Sequence, residues 1–209
     1  MSDTPPPDLE RWNTRFAAAD YVFGTAPNAF LAREAWRLKP GARVLAAADG
    51  EGRNGVFLAE RGMEVHSVDF SPQARAKAER LAQTRGVALR FETADLRHWA
   101  WPDAAYDAVV AIFVQFATPE FRPRLFANML AALKPGGLLF LEGYRVEQRA
   151  YKTGGPSDIN HLYSKTMLRE AFVAAEIVLL AAEERELDEG EGHRGRSALI
   201  DLIARRKRA

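Results

Sequence analysis

Short apolar segments alternate with segments of helical periodicity along most of the chain. The apolar segments end at glycine, proline or charged residues, which is typical of buried strands, and the segments between them place apolar residues on one helical face. The predicted strands cover residues 43–47, 64–68, 87–91, 106–113, 138–144, 176–186 and 198–204. The predicted helices cover residues 9–19, 28–38, 53–61, 72–85, 119–133 and 164–174. For the fourth of these, Ser71 predicts the N-cap, Pro72 the first helical position and Gly86 the end.

The composition of the strands indicates how they are arranged. YDAVVAIF at 106–113 and LLFLEGY at 138–144 are apolar almost throughout, as expected for parallel strands covered by helices on both faces. The last two strands are joined by a charged, glycine-containing loop and predict a hairpin. We therefore predict an α/β fold with a doubly wound, seven-stranded sheet that is mostly parallel and ends in an antiparallel hairpin.

The length of 209 residues suits one domain. Residues 1–40 are predicted to form an N-terminal tail and a helical cap within that domain, and residues 41–209 hold the sheet. The tail is acidic and rich in proline, without the basic start and apolar run of a signal peptide, so a cytoplasmic protein is expected.

Charge and composition exclude several classes of function. The 29 basic and 28 acidic residues nearly cancel, so the charge suggests neither a nucleic acid nor a membrane as a partner. The chain has no cysteine, which excludes thiolate nucleophiles and cysteine metal sites, and we predict no metal centre. The oligomeric state is left open.

The stretch Val44 to Gly55 carries the strongest chemical signal. An apolar strand runs into a glycine turn and then a helix, and an acidic residue, Asp69, follows at the end of the next strand. Gly50, Gly52 and Gly55 spell GxGxxG, the dinucleotide fingerprint, so an NAD(P)-dependent oxidoreductase is one alternative.

The charge of this turn points to a different cofactor. Asp49 and Glu51 would lie beside the pyrophosphate of a dinucleotide, and two like charges about 4 Å apart repel by about 4 kcal/mol near a protein surface. S-adenosylmethionine has no phosphate, and its ammonium and sulfonium groups are compatible with acidic side chains and aromatic rings. The turn therefore favours S-adenosylmethionine.

Five motifs in chain order resemble the class I S-adenosylmethionine-dependent methyltransferases, from about Trp12 to Lys207. They are GEGRN at 50–54, VDFS at 68–71, ADL at 94–96, YDAVVAIF at 106–113 and LKPGG at 133–137. YVFGTAPNAFL and EGYRVEQRAYKTGGP are similar to the tellurite-resistance and thiopurine methyltransferase-like branch. The resemblance implies a Rossmann-like fold and makes residues 41–209 the methyltransferase domain.

The resemblance also implies a set of cofactor-binding residues. Gly50 and Gly52 would shape the methionine site, Asp69 would bind the ribose, and Asp95 with Leu96 would face the adenine. The full predicted set is Asp49, Gly50, Glu51, Gly52, Asn54, Asp69, Phe70, Asp95, Leu96, Phe113 and Gln115. Phe113 and Gln115 would lie beside the methyl group.

Two positions depart from the family pattern. Ala46 stands where the family often has an acidic residue, and we expect Asp49 or Glu51 to replace it as a partner of the cofactor's ammonium. Ala48 stands where the family often has glycine, and the backbone can accommodate the added methyl group if its φ is negative. A degenerate, non-catalytic binding protein is therefore a further alternative.

The predicted reaction is an in-line methyl transfer to a small-molecule acceptor, driven mainly by positioning. The candidate catalytic residues are His193, Tyr21 and Tyr144, and other candidates near the acceptor are Trp12, Phe23, Tyr151 and His161. His66 lies mid-strand and is expected to pack in the core. Residues 151–156 suit either a hinged lid or a simple connector between strand and helix, and the family resemblance favours the lid. The acceptor is left open.

Overall fold

The computed structural model describes residues 8–190 and 193–208. Its strands are β1 Arg43–Ala47, β2 Glu64–Asp69, β3 Arg90–Thr93, β4 Tyr106–Ile112, β5 Leu133–Tyr144, β6 Glu176–Asp188 and β7 Arg194–Arg205. Its α-helices are α1 Leu9–Phe16, α2 Ala29–Glu34, α3 Arg53–Glu60, α4 Pro72–Arg85, α5 Arg122–Ala132 and α6 Lys165–Ala171. Short 3₁₀ helices occupy Ala35–Arg37, Val146–Ala150 and Ile159–His161.

The seven strands form one sheet in the order β3-β2-β1-β4-β5-β7-β6. The neighbours from β3 through β5 are parallel, whereas β7 is antiparallel to both β5 and β6. This arrangement confirms the predicted doubly wound sheet with a C-terminal hairpin. The strand order reverses between β1 and β4, which is where α/β sheets of this kind bind ligands.

The core lies on both faces of the sheet. Leu45 and Val109 face a cluster with Met129 of α5, while their neighbours Val44 and Val110 face a second cluster on the opposite side. Because successive strand residues point to opposite faces, both faces of the central strands are buried.

The helix signals read from the sequence also match the structure. Ser71 caps α4 by accepting a hydrogen bond from Ala74 N, Pro72 opens the helix, and Gly86 ends it at a φ of +68°. The same chemistry starts α2, where the Asn28 side chain accepts from Leu31 N. No helix of the described residues is long and apolar enough to span a membrane.

Several boundaries differ from the prediction, and α1, α2, α5 and α6 are shorter than predicted. β3 begins at residue 90, not 87, because Val87 N still bonds Ala82 O at the end of α4. β5 includes the LKPGG turn, because Leu133 already pairs with Tyr106 before an irregularity in the register. β6 and β7 are longer than predicted and pair as far as Asp188 and Arg194.

Candidate functional site

A cavity of about 310 Å³ opens at the carboxyl ends of β1, β2 and β4, beneath the N-terminal cap. Its walls come from the cap, the turn after β1, the ends of β2 and β4, the segments that follow β3 and β4, and the C-terminal hairpin. The lining residues are Asp8, Trp12, Phe16, Phe23, Ala48, Asp49, Gly50, Glu51, Arg53, Asn54, Asp69, Phe70, Ala94, Asp95, Leu96, Arg97, Ile112, Phe113, Phe116, Thr118, Phe121 and His193.

Asp69 ends β2 and presents a buried carboxylate to this cavity. One oxygen accepts from Gly50 N at 2.9 Å and the other from Ser71 N at 2.9 Å. Within the described residues it forms no ion pair, and burial raises the pKa of its carboxyl to about 6. Each oxygen retains acceptor capacity, so the group is suited to hydroxyl donors of a ligand.

Asp49 is a second carboxylate in the cavity wall. It accepts from Ser67 Oγ at 2.8 Å and from Gly55 N at 3.1 Å. Burial and, to a smaller extent, the nearby Asp69 carboxylate raise the pKa of Asp49 to about 6, although the hydrogen bonds from Ser67 and Gly55 and the charge of Arg53 oppose the shift. A cationic ligand group would therefore stabilise its ionised form.

Ala48 does not meet the condition under which its methyl group fits without strain. Its φ is +52°, in the left-handed region, rather than negative. This conformation costs a residue with a Cβ about 1–2 kcal/mol, so the methyl group is held under strain at the cavity wall.

Glu51 lines the cavity, and its carboxylate already has partners within the protein. It lies 2.7 Å from Lys77 Nζ, and both side chains are almost fully buried. Its oxygens also accept from Val22 N at 3.2 Å and Phe23 N at 3.1 Å. Glu51 therefore holds the cap onto α4, and its charge is neither free for an ammonium nor available to repel a phosphate.

Gly52 and Gln115 are not among the residues that line the cavity. A Cβ on Gly52 would lie 2.6 Å from the Cβ of Ala78, so this glycine lets α3 and α4 pack closely. Gln115 is an internal clamp: Oε1 accepts from Tyr144 N at 2.6 Å, and Nε2 donates to the carbonyls of Tyr144 and His161. Both residues support the site from behind.

The remaining predicted cofactor residues do line the cavity. Arg97 Nε donates to Asp95 Oδ1 at 2.9 Å, beside the buried Leu96. Asn54 accepts from Asn28 N at 2.9 Å, which ties α3 to the cap. Phe70 follows Asp69 at the end of β2.

The aromatic wall of the cavity centres on Phe113 and His193. Phe113 has a φ of +56°, and its ring lies 4.1 Å from the His193 ring and 4.8 Å from the Tyr144 ring, between centroids. The His193 ring is also 4.6 Å from Phe23 of the cap. A Cβ on Gly190 would lie 2.5 Å from Val22 O, so the hairpin and the cap meet in direct backbone contact.

Two of the three candidate catalytic residues lie outside the cavity lining. Tyr144 is buried behind Phe113, with its hydroxyl 2.7 Å from His193 Nδ1, and burial raises its pKa. Tyr21 donates to Lys77 O at 3.1 Å and belongs to the packing of the cap on α4. Only His193 lines the cavity, and burial with the positive charges of Arg53 and Arg15 lowers its pKa to about 3.

The other histidines and the predicted lid have local partners. His66 packs in the core and bonds to the Tyr106 hydroxyl and Glu92, and His161 Nδ1 lies 2.6 Å from Gln115 O. The 151–156 segment contacts β7 through Thr153, whose hydroxyl donates to Arg196 O. Like His161, this segment does not line the cavity, so the structure gives it no position over the ligand.

Sequence reasoning missed several residues that line the cavity, above all Arg53. The sequence carried a usable signal, since Arg53 is the first helical residue after the glycine turn. Phe16, Phe116 and Phe121 were also missed, because nothing in the sequence separates a pocket aromatic from a core aromatic.

The central part of the chain is similar to known methyltransferases. Residues 44–137 match a family described as a methyltransferase domain. The demethylmenaquinone methyltransferase of Thermus thermophilus is 39% identical over 101 residues, covering 46% of this chain and 44% of that protein. The chain thus spans less than half the length of this curated relative.

Solved structures resemble the chain over nearly its whole length. A structure described for the conversion of a disulfide bond into a thioacetal group during echinomycin biosynthesis has a TM-score of 0.79 and 19% identity, covering 96% of this chain and 92% of that one. TehB from Haemophilus influenzae has a TM-score of 0.71 and 18% identity, covering 96% of this chain and 67% of that one. At these identities the likeness shows the fold.

The family match over residues 44–137 and the likeness of the fold both agree with the predicted S-adenosylmethionine-dependent methyltransferase class. The oxidoreductase alternative does not agree with this family match.

Proposed function

We propose that the protein transfers a methyl group from S-adenosylmethionine to a small-molecule acceptor in the cavity beneath the cap. The observation that carries the proposal is the Asp69 carboxylate, which is buried at the end of β2 and, within the described residues, is held by backbone N–H groups without an ion pair. A ribose has two adjacent hydroxyl donors that suit its remaining acceptor sites. The residues present therefore fit the cofactor.

The proposed binding residues follow the order of the strands. Asp69 and Phe70 would hold the ribose side, Asp95 and Leu96 the adenine, and Asp49 the ammonium of the methionine part. Glu51, Gly52 and Gln115 are proposed to act by supporting the walls rather than by touching the ligand. The likeness to TehB supports placing the chain in the tellurite-resistance branch.

When bound, the cofactor supplies an electrophilic methyl group on a sulfonium, with a neutral leaving group. The chain's own contribution is to orient the acceptor and exclude water. Phe23 and Phe113 approach the same wall from the cap and from β4, and their rings can face a sulfonium cation. The cap and hairpin close over this wall.

His193 restricts the class of acceptor. With a pKa near 3, its imidazole is neutral at physiological pH and a weak proton acceptor. An acceptor that must lose a proton during transfer would gain little from it. We therefore propose an acceptor that arrives ionised, such as a thiolate or another soft anion.

An assay of the purified protein tests the proposal. S-adenosylmethionine is offered with a panel of thiols, oxyanions and small amines, and release of S-adenosylhomocysteine is measured. The proposal predicts turnover with ionised thiols or oxyanions, and lower turnover in Asp69→Asn at cofactor concentrations that do not saturate the variant. Binding of S-adenosylhomocysteine without turnover on any acceptor would favour a non-catalytic binding protein.

A further inference from the structure

Arg53 presents an unused hydrogen-bond donor to the cavity. Arg53 is only 6% exposed, and it lines the cavity beside the turn after β1. One terminal nitrogen, Nη2, lies 2.7 Å from Glu189 Oε2. The other, Nη1, is buried and has no hydrogen-bond partner in the described residues.

The guanidinium of Arg53 is held by a network that joins three segments. Glu189, at the hairpin, also accepts from Ala29 N at 3.0 Å and from Asn28 Nδ2 at 3.2 Å. Asn28 Nδ2 lies 2.6 Å from Glu142 Oε1 on β5, and its backbone N–H donates to Asn54 on α3. The cap, the hairpin and the sheet therefore fix the direction of the guanidinium.

Arg53 lies among charges of both signs. The nearby Asp49 carboxylate also lines the cavity, and Arg53 opposes the rise in its pKa. Arg15 adds a second positive charge at this wall, over the Phe23 ring at 4.9 Å, and burial together with Arg53 and Arg15 lowers the pKa of His193. Glu189 satisfies one side of the guanidinium, and Glu51 is paired with Lys77. An anionic partner strongly stabilises a buried guanidinium that has an unpaired N–H.

We propose that Arg53 is the anion-binding residue of the cavity, and that Glu189 and Asn28 are the positioning residues that hold it. The ligand group is a carboxylate or a similar small anion. It has two sources under the proposed function, on which this inference rests: the carboxylate of the cofactor's methionine part, or an anionic acceptor.

Paired ligands separate these sources. S-adenosylhomocysteine carries the amino-acid carboxylate, whereas 5′-methylthioadenosine keeps the nucleoside and lacks it. Calorimetric titration of both ligands gives an affinity ratio that depends on the amino-acid part alone. Benzoate, titrated into the complex with S-adenosylhomocysteine, serves as the probe for an anionic acceptor.

The variants are Arg53→Met, Arg53→Lys, Glu189→Gln and the control Arg97→Met. If Arg53 binds the cofactor carboxylate, Arg53→Met lowers the affinity ratio at least tenfold, while 5′-methylthioadenosine binding stays within threefold and shows that the fold is intact. Arg53→Lys recovers part of the ratio, and Glu189→Gln lowers it less than Arg53→Met. Arg97→Met, which removes another cavity arginine paired with Asp95, leaves the ratio unchanged.

If Arg53 binds an anionic acceptor, the ratio is unchanged in Arg53→Met and benzoate affinity falls at least tenfold. The inference is overturned if Arg53→Met changes neither the ratio nor benzoate binding, or if Arg97→Met lowers them equally. Wild-type protein that binds neither nucleoside ligand would instead overturn the proposed function.

Discussion

Replacing Asp69 with asparagine should weaken cofactor binding and, at alkaline pH, stabilise the free protein. The carboxylate is buried without a cation in the described residues, and its pKa rises from 3.8 to about 6. Between about pH 4 and pH 6 the folded protein binds more protons than the unfolded chain, so the free energy of unfolding falls as the pH rises through this range. The full loss is about 3 kcal/mol, and it is complete above pH 6.

The net effect of Asp69→Asn follows from that loss and from the two backbone donors. Asparagine removes the penalty on the ionised group, but its amide nitrogen cannot accept from one of Gly50 N and Ser71 N, which costs about 1 kcal/mol. We therefore expect a gain in unfolding free energy of about 2 kcal/mol at pH 8 and a loss of about 1 kcal/mol at pH 4. Urea unfolding at both pH values measures this crossover.

Cofactor affinity should move in the opposite direction. Hydrogen bonds from ribose hydroxyls to a charged acceptor contribute about 1.5–3 kcal/mol, so Asp69→Asn should weaken S-adenosylhomocysteine binding about tenfold or more at pH 8. Wild-type affinity should fall below pH 6 as Asp69 is protonated, and the variant should show a shallower fall because Asp49 alone still titrates. If the variant is less stable at both pH values and binds S-adenosylhomocysteine unchanged, Asp69 is a structural strand-end residue and the proposed pocket is wrong.

Two further substitutions test the scaffold of the site. Lys77→Met leaves Glu51 buried without its cation, so we expect urea unfolding to show a loss of about 3–5 kcal/mol in the free energy of unfolding. The control Lys134→Met breaks the exposed pair with Asp107 and should cost about 1 kcal/mol or less. Equal losses would contradict the role of Glu51. Ala48→Gly relieves the strain of the positive φ but adds entropy to the unfolded chain, so we expect the free energy of unfolding to rise by up to about 1 kcal/mol. The control Ala46→Gly, within β1, should lower it. A lower free energy of unfolding in Ala48→Gly would show that the backbone there is unstrained.

The sequence was sufficient for the parts of the fold that depend on local pattern. Short apolar runs predicted the seven strands, and Ser71, Pro72 and Gly86 predicted the ends of α4, because these features depend on residues close in the chain. Asp69 was placed at the carboxyl ends of the parallel strands for the same reason, because it is the last residue of an apolar strand.

The sequence was insufficient where a side chain has partners far along the chain. Glu51 was assigned to the ligand, but it bonds to Lys77 of α4 and to the amides of Val22 and Phe23 in the cap. Gly52 was assigned to the cofactor, but its space is taken by Ala78. No periodicity or motif records these contacts, which depend on how α3, α4 and the cap pack together.

Arg53 shows the same limit from the other side. Its position after the glycine turn was visible in the motif GEGRN, but its burial and its contact with Glu189, 136 positions away, were not. The sign of φ at Ala48 was equally hidden.

Calorimetric titration of the purified protein with S-adenosylhomocysteine and, separately, with NADH tests the central claim most directly. The account predicts that S-adenosylhomocysteine binds with one site per chain and that NADH gives no binding heat. Binding of NADH without binding of S-adenosylhomocysteine would contradict it.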